Sequence, residues 1–257
     1  MSGSLNLDGR TAIVTGAGGG LGRGIALALA EAGARVVVAA RRQATGDETV
    51  NLIERAGGRA LSVQADVSVR ADVERTIGAA LGAFGALHIV VHNAASSLSG
   101  IPAQLGEISE QNWHEQTRVS LDALFFLARA AYGHLHGHGR GRLIVLASAQ
   151  GATGGSMNPA YAAVKSGQRG FVRALAREWG VHGITVNAIL PAGLTDATKA
   201  HISRNPNLRE LIKKQNPMGH LGDPRTEIGA AVVGLASDAG CYINGQSVAV
   251  DGGIITS

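Results

Sequence analysis

The chain of 257 residues has one cysteine, Cys241. No intramolecular disulfide can form, so an intracellular, reducing compartment is expected. Cys241 itself reads as a small buried apolar residue rather than a reactive thiol. Aromatic residues are scarce, at 4%, and no aromatic-rich nucleic-acid motif accompanies the basic charge. The formal charge is +4 and the pI near 9.6, yet the 23 Lys and Arg are spread among 19 acids without a sustained basic run. That dispersion argues against nucleic acid as a partner and leaves attraction for small anionic molecules. No apolar run approaches the ~20 residues that span a bilayer. The opening MSGSLNLDGR has no charged-then-apolar signal plan. The expectation is a soluble, cytoplasmic protein without membrane contact.

What the chain does have is glycine, 37 residues, and a hydrophobic content of 45%. Short β-branched runs at Thr11–Thr15, Arg35–Ala39, Leu61–Gln64, Leu87–His92, Leu143–Leu146, Ile184–Ile189 and Ser247–Val250 read as strands. Most are continuously apolar, as central strands covered on both faces are. Helical patterns separate them, for example Leu21–Ala32, Val69–Phe84, Glu110–Tyr132, Ala160–Val181 and Arg225–Ser237. The alternation predicts an α/β fold, doubly wound, with a seven-stranded parallel sheet and helices on both faces. No linker, repeat or composition break divides the chain, so residues 1–257 read as a single domain. The longest irregular region, about 191–224, follows the carboxyl end of a strand, where α/β proteins bind ligands. It is expected to cover substrate, unless it is a plain surface excursion.

Directly after the first strand stands TGAGGGLG, residues 15–22. Gly16, Gly20 and Gly22 allow a tight turn that brings backbone N–H groups and the next helix N-terminus, including Leu21, against a pyrophosphate. The second strand ends Ala39-Ala40-Arg41-Arg42. An acid there would bond a ribose 2′-hydroxyl; two guanidiniums suit a 2′-phosphate instead. NADP(H) is therefore preferred and NAD(H) remains possible. Further along, Tyr161 stands one helical turn before Lys165, so the phenol and ammonium share a helix face.

With these motifs together, residues 8–253 resemble the short-chain dehydrogenase/reductases, of the single-domain type that includes 3-oxoacyl-carrier-protein reductases. The glycine turn matches TGxxxGxG. Asp66-Val67 resembles the adenine-contacting pair, and Asn93 begins the segment similar to NAG. Ser148, thirteen residues before Tyr161, completes the family's Ser and YxxxK. Asn187 and Pro191 match N-x-x-x-P, and INGQSVAVDGG, residues 243–253, matches the last strand and turn. The resemblance implies a Rossmann-type fold. Tyr161 would be general acid in reduction and base in oxidation, its pKa lowered from about 10 by Lys165. Lys165 would also hold the nicotinamide ribose, and Ser148 would polarise the carbonyl. Leu194 falls where the family's backbone contacts the carboxamide.

The chain departs from the pattern at several positions. Ser120 stands where the family has an Asn that holds a water in a relay to the lysine, and a retained but altered relay is expected of its hydroxyl. The usual NNAG reads His92-Asn93-Ala94-Ala95, and Pro-Gly reads Pro191-Ala192-Gly193. His134, His136 and His138 read as a helix-to-strand loop that does not bind metal. Trp113 and Trp179 read as packing residues.

The function expected is reversible NADP(H)-dependent reduction of a ketone to a secondary alcohol, with 3-oxoacyl and cyclic ketones as candidates. The alternatives are an NAD-dependent secondary alcohol dehydrogenase on the same fold, and a non-catalytic NADP-binding sensor or scaffold. His201, Arg204, Arg209, Lys213 and Lys214 either steer an anionic substrate or face water. The partner is a small carbonyl or alcohol, and the family implies a homotetramer built on the helices around 110–132 and 160–181.

Overall fold

The computed structural model describes residues 5–195, 198, 202–203 and 206–255. One sheet organises them: β1 (Thr11–Thr15), β2 (Arg35–Ala40), β3 (Arg59–Gln64), β4 (Ile89–His92), β5 (Arg142–Leu146), β6 (Thr185–Pro191) and β7 (Ser247–Val250). All pairings are parallel, in the order β3-β2-β1-β4-β5-β6-β7. The expected strands are all present, β1 and β7 with the expected ends.

The continuous apolar runs have a simple cause. Successive side chains point to opposite faces, so in β1 Ala12 and Val14 enter one core while Ile13 enters the other. In β2 Val36 and Val38 join the first, and Val37 the second. Helices α1 (Gly20–Glu31) and α2 (Gln43–Arg55) cover the first face, and α3 (Arg70–Phe84) the second. There α4 (Glu110–Thr117) leads into α5 (Ala123–His136), and a short α6 (Gln150–Thr153) precedes α7 (Pro159–Trp179). The strand order reverses between β1 and β4, which opens a crevice at the carboxyl ends of the strands.

The helix expected over 110–132 is interrupted. Arg118–Asp122 forms a π-helical turn, where Ala123 N–H bonds the Arg118 carbonyl five residues back. Another π turn, Pro224–Gly229, opens the helix expected at 225–237, with Asp223 capping it, before α9 (Ala230–Ala236). The excursion beyond β6 is pinned at its base. Gly222 N–H donates to Ala192 O at 2.9 Å, and Leu194 N–H to Gly222 O at 2.8 Å. Between these ends lies α8 (Pro206–Gln215). His201 and Arg204 lie outside the described residues, as do the side chains of Arg209 and Lys213; Lys214 is exposed.

Three readings of single residues need correction. Cys241 is exposed, because it follows a tight turn at Asp238–Gly240 rather than a core strand. Trp113 is 43% exposed on α4, whereas Trp179 is buried against Tyr132. His134 and His136 belong to the last turn of α5, not to a loop. His136 packs on Tyr132 and His182, and His138 stacks on His88 at 4.6 Å. Among the described residues no three His, Cys, Asp or Glu assemble as metal ligands, and no helix is long and apolar enough to cross a membrane.

Candidate active site

The glycine turn needs its glycines for two different reasons. Gly16 and Gly20 have φ of +65° and +52°, in the left-handed region. A side chain at Gly16 would also meet Asn93 Nδ2 at 2.9 Å, and one at Gly22 would run into the same amide and the Gly16 carbonyl. Asn93 is the reason for the crowding. Its Nδ2 donates to Thr15 O at 2.8 Å and to Gly16 O at 3.2 Å, tying the end of β4 to the turn after β1. Thr15 Oγ1 completes the tie by accepting the N–H groups of Asn93 and Ala94, each at 3.1 Å. The sequence reading missed this role of Thr15.

Beside the turn is a cleft of about 590 Å³ lined by Gly16, Gly18, Arg41, Arg42, Asp66, Val67 and Asn93, among others. Gly20, Leu21, Gly22 and Leu194 are not part of that lining; Leu21 packs against Gly193. Asp66 closes the turn after β3, its Oδ1 accepting from Ser68 N and Oγ. Arg41 and Arg42 are exposed, and neither guanidinium makes an ion pair or hydrogen bond among the described residues. Both are therefore available to an anion. The Leu194 N–H is already committed to Gly222, which leaves its carbonyl for any ligand contact.

Ser148, two residues beyond β5, accepts the Gln150 N–H at 3.2 Å and lies near enough to Tyr161, on the first turn of α7, to act on its phenol. Burial pushes the Tyr161 phenol above its ordinary value, and the Ser148 hydroxyl pulls the other way. The lowering expected from Lys165 does not occur, because that ammonium is turned into the protein. Its Nζ donates to Leu146 O at 2.6 Å and to Gln168 Oε1 at 3.0 Å, and sits 5.6 Å from the centre of the Tyr161 ring. Lys165 is 3% exposed, and burial depresses its pKa to about 8.

Ser120 lies in the π turn and is fully buried. Its hydroxyl, expected to serve the relay, has no hydrogen-bond partner among the described residues. The carbonyl of the same residue makes the links: it accepts from Gln168 Nε2 at 3.0 Å and from His92 Nε2 at 3.2 Å. A carbonyl has two lone pairs, and the π turn loosens the helical ladder enough for side chains to reach both. Burial, then the Lys165 charge, depresses His92 to about 3. The imidazole is therefore neutral, with Nε2 carrying the hydrogen and Nδ1 facing Thr15 Oγ1 at 3.4 Å. Gln168 was not anticipated, although its place three residues after Lys165 on one face of α7 was available as a signal.

Comparison with known proteins identifies the family. Residues 16–255 match the family model described as enoyl-(acyl carrier protein) reductase. The chain is 36% identical to the 3-oxoacyl-[acyl-carrier-protein] reductase of Vibrio cholerae, over 97% of this chain and 99% of the relative. It is 34% identical to the 2-dehydro-3-deoxy-D-gluconate 5-dehydrogenase of Escherichia coli, over 97% of each. The chain belongs to the short-chain dehydrogenase/reductase family. A solved structure from Beutenbergia cavernae, described as an NAD(P)-dependent gluconate 5-dehydrogenase with bound NADP, superposes with a TM-score of 0.89 at 36% identity, covering 99% of this chain and 100% of the other.

As a short-chain dehydrogenase/reductase the chain is an oxidoreductase acting on CH–OH donors with NAD(P). Two of its departures from the family pattern meet in space. His92 and Ser120 touch each other, and Gln168 joins the same carbonyl. Together with Lys165, which bonds Gln168, these residues form one buried polar cluster.

Proposed function

We propose that this short-chain dehydrogenase/reductase reduces a ketone to a secondary alcohol with NADP(H), reversibly. The observation that carries the cofactor choice is Arg41 and Arg42, uncommitted on the same cleft as the glycine turn. Two guanidiniums suit a phosphate through charge-assisted bonds, and no carboxylate stands at the end of β2 to repel one. The glycines fit the cofactor indirectly: side chains at Gly16 or Gly22 would run into Asn93 and the backbone of the turn itself, so their absence lets the turn keep the tight shape against which a pyrophosphate would lie. Asp66 and Val67 would flank the adenine, and the Leu194 carbonyl would meet the carboxamide.

The bound cofactor supplies hydride. Tyr161 gives its proton to the carbonyl oxygen in reduction and takes it back in oxidation. The raised phenol is protonated near neutrality, the form that can donate to a carbonyl oxygen. Ser148, beside Tyr161, would hold the substrate oxygen next to the phenol. Lys165 would hold the nicotinamide ribose with its remaining N–H. The names of the two relatives place their chemistry at a ketone or its alcohol, which supports a ketone substrate here and leaves 3-oxoacyl, sugar-acid and cyclic ketones as the panel. The segment 191–224, closed on itself at Ala192 and Gly222, would cover that substrate. A homotetramer would cover apolar side chains now exposed, such as Phe125 on α5 and Tyr242 before β7; light scattering measures it.

The test is steady-state consumption of NADPH and of NADH over that panel, with Tyr161→Phe beside the wild type. Removing the proton donor should lower kcat by about 10²-fold or more. NADPH binding without turnover of any ketone would instead favour a sensor or scaffold.

A further inference from the structure

We propose that Gln168 is a positioning residue for Lys165, aiming the ammonium by bridging it to the Ser120 carbonyl. The assignment rests on the reading above, in which Lys165 serves the cofactor ribose and Tyr161. Gln168 is fully buried on α7, with Oε1 on Lys165 Nζ at 3.0 Å and Nε2 on Ser120 O at 3.0 Å. The two neighbours fix its orientation. Lys165 can only donate and the Ser120 carbonyl can only accept, so a flipped amide would set like against like at both ends. No other side chain of this length offers one donor and one acceptor in that order.

The consequence falls on Lys165. An ammonium has three N–H groups. Leu146 O takes one and Gln168 Oε1 a second, so one is left for the cleft. With both protein partners fixed, the direction of the third is fixed. The π turn contributes because it carries the carbonyl that anchors the far end of the amide. His92 shares that carbonyl and holds it from the other side. Neither an amide nor a carbonyl passes protons along, so this chain of bonds orients the ammonium and does not carry its proton away.

A glutamine that only fills the core would produce the same contacts, and a double-mutant cycle separates the two cases. NADPH affinity is measured by fluorescence titration for the wild type, Gln168→Met, Lys165→Met and the double variant, with melting curves to confirm folding. Methionine matches glutamine in length and offers neither donor nor strong acceptor. Gln168→Met should weaken NADPH binding about tenfold in the wild-type background, the usual scale for losing a bond to a buried charge. In the Lys165→Met background the same change should cost less than about twofold, because there is no ammonium left to aim. Equal losses in both backgrounds, or no loss in the wild type, would overturn the assignment. If Gln168→Met does not fold, Gln168→Leu replaces it in the same cycle: it too offers neither donor nor acceptor and adds no charge, so the same criterion applies. A wild-type protein that binds neither NADPH nor NADH overturns the functional reading, and this assignment with it.

Discussion

Arg41 and Lys165 are both cations proposed to serve the cofactor, yet the chain treats them in opposite ways. Arg41 and its neighbour Arg42 stand exposed on the rim after β2, bonded to nothing through their guanidiniums among the described residues. Lys165 is buried, depressed to about 8, and held by two protein acceptors. A charge on the rim is free to meet a ligand and contributes little to the fold, since water already solvates it. A charge in the interior must be partnered, and each partner must then be oriented by something else. This is why the polar cluster extends from Lys165 through Gln168 and Ser120 to His92 and Thr15, while the arginines need no support at all. Changes on the rim should therefore alter cofactor choice alone, whereas changes in the interior should couple function to stability.

The largest effect expected from the rim is on selectivity. Arg41→Asp replaces a phosphate-binding cation with a group that repels phosphate and accepts from a ribose hydroxyl. The NADPH-over-NADH ratio in kcat/KM should fall by about 10–100-fold, the range for charge-assisted bonds. The melting temperature should not move. An unchanged ratio would mean that the arginines only face water.

How much of this contrast the sequence displayed follows from the range of the interactions involved. The strands were legible because burial on both faces writes a continuous apolar run, and the rim arginines because they follow such a run directly. Ser148, Tyr161 and Lys165 were legible as a spaced pattern. The interior cluster was not. Gln168 meets a carbonyl 48 residues away, and a backbone carbonyl has no letter of its own in the sequence. The π turn that presents it inserts an irregularity into Glu110–Tyr132 without any proline or glycine to mark it. The same limit explains Cys241 and Trp113, whose exposure is set by how distant segments pack and not by residue type.

An effect of opposite character is expected in the interior when pH changes. His92 is neutral in the folded protein with a pKa of about 3, while an unfolded histidine titrates near 6.5. As pH falls below about 6.5 the unfolded chain takes up a proton that the folded chain refuses, so stability is lost until the folded pKa is reached. The slope from this one group is at most about 1.4 kcal/mol per pH unit. His92→Asn removes the titration. The stability advantage of the wild type over the variant, read from urea midpoints between pH 7 and pH 4, should shrink as pH falls. A difference that stays constant would show that the imidazole accepts a proton where it stands. Lys165 faces this neutral imidazole and the Tyr161 phenol, and loses its own charge above about pH 8. Ketone reduction should decline there if the ammonium is needed.

The smallest effect separates the two parts of one residue. Ser120 presents a carbonyl with two donors and a hydroxyl with none. Ser120→Ala deletes the hydroxyl and keeps the backbone. Removing a buried polar group that bonds nothing relieves its desolvation cost, so the variant should be as stable as the wild type or more stable by up to about 1 kcal/mol. Turnover should change by less than about threefold, since Gln168 and His92 keep their acceptor. A tenfold fall in kcat with an unchanged melting temperature would give the hydroxyl a part in turnover that its surroundings do not reveal. The contrast between a rim that selects and an interior that positions would then have to include a side chain acting only during the reaction, and the Asn of the family pattern would be the substitution that restores it.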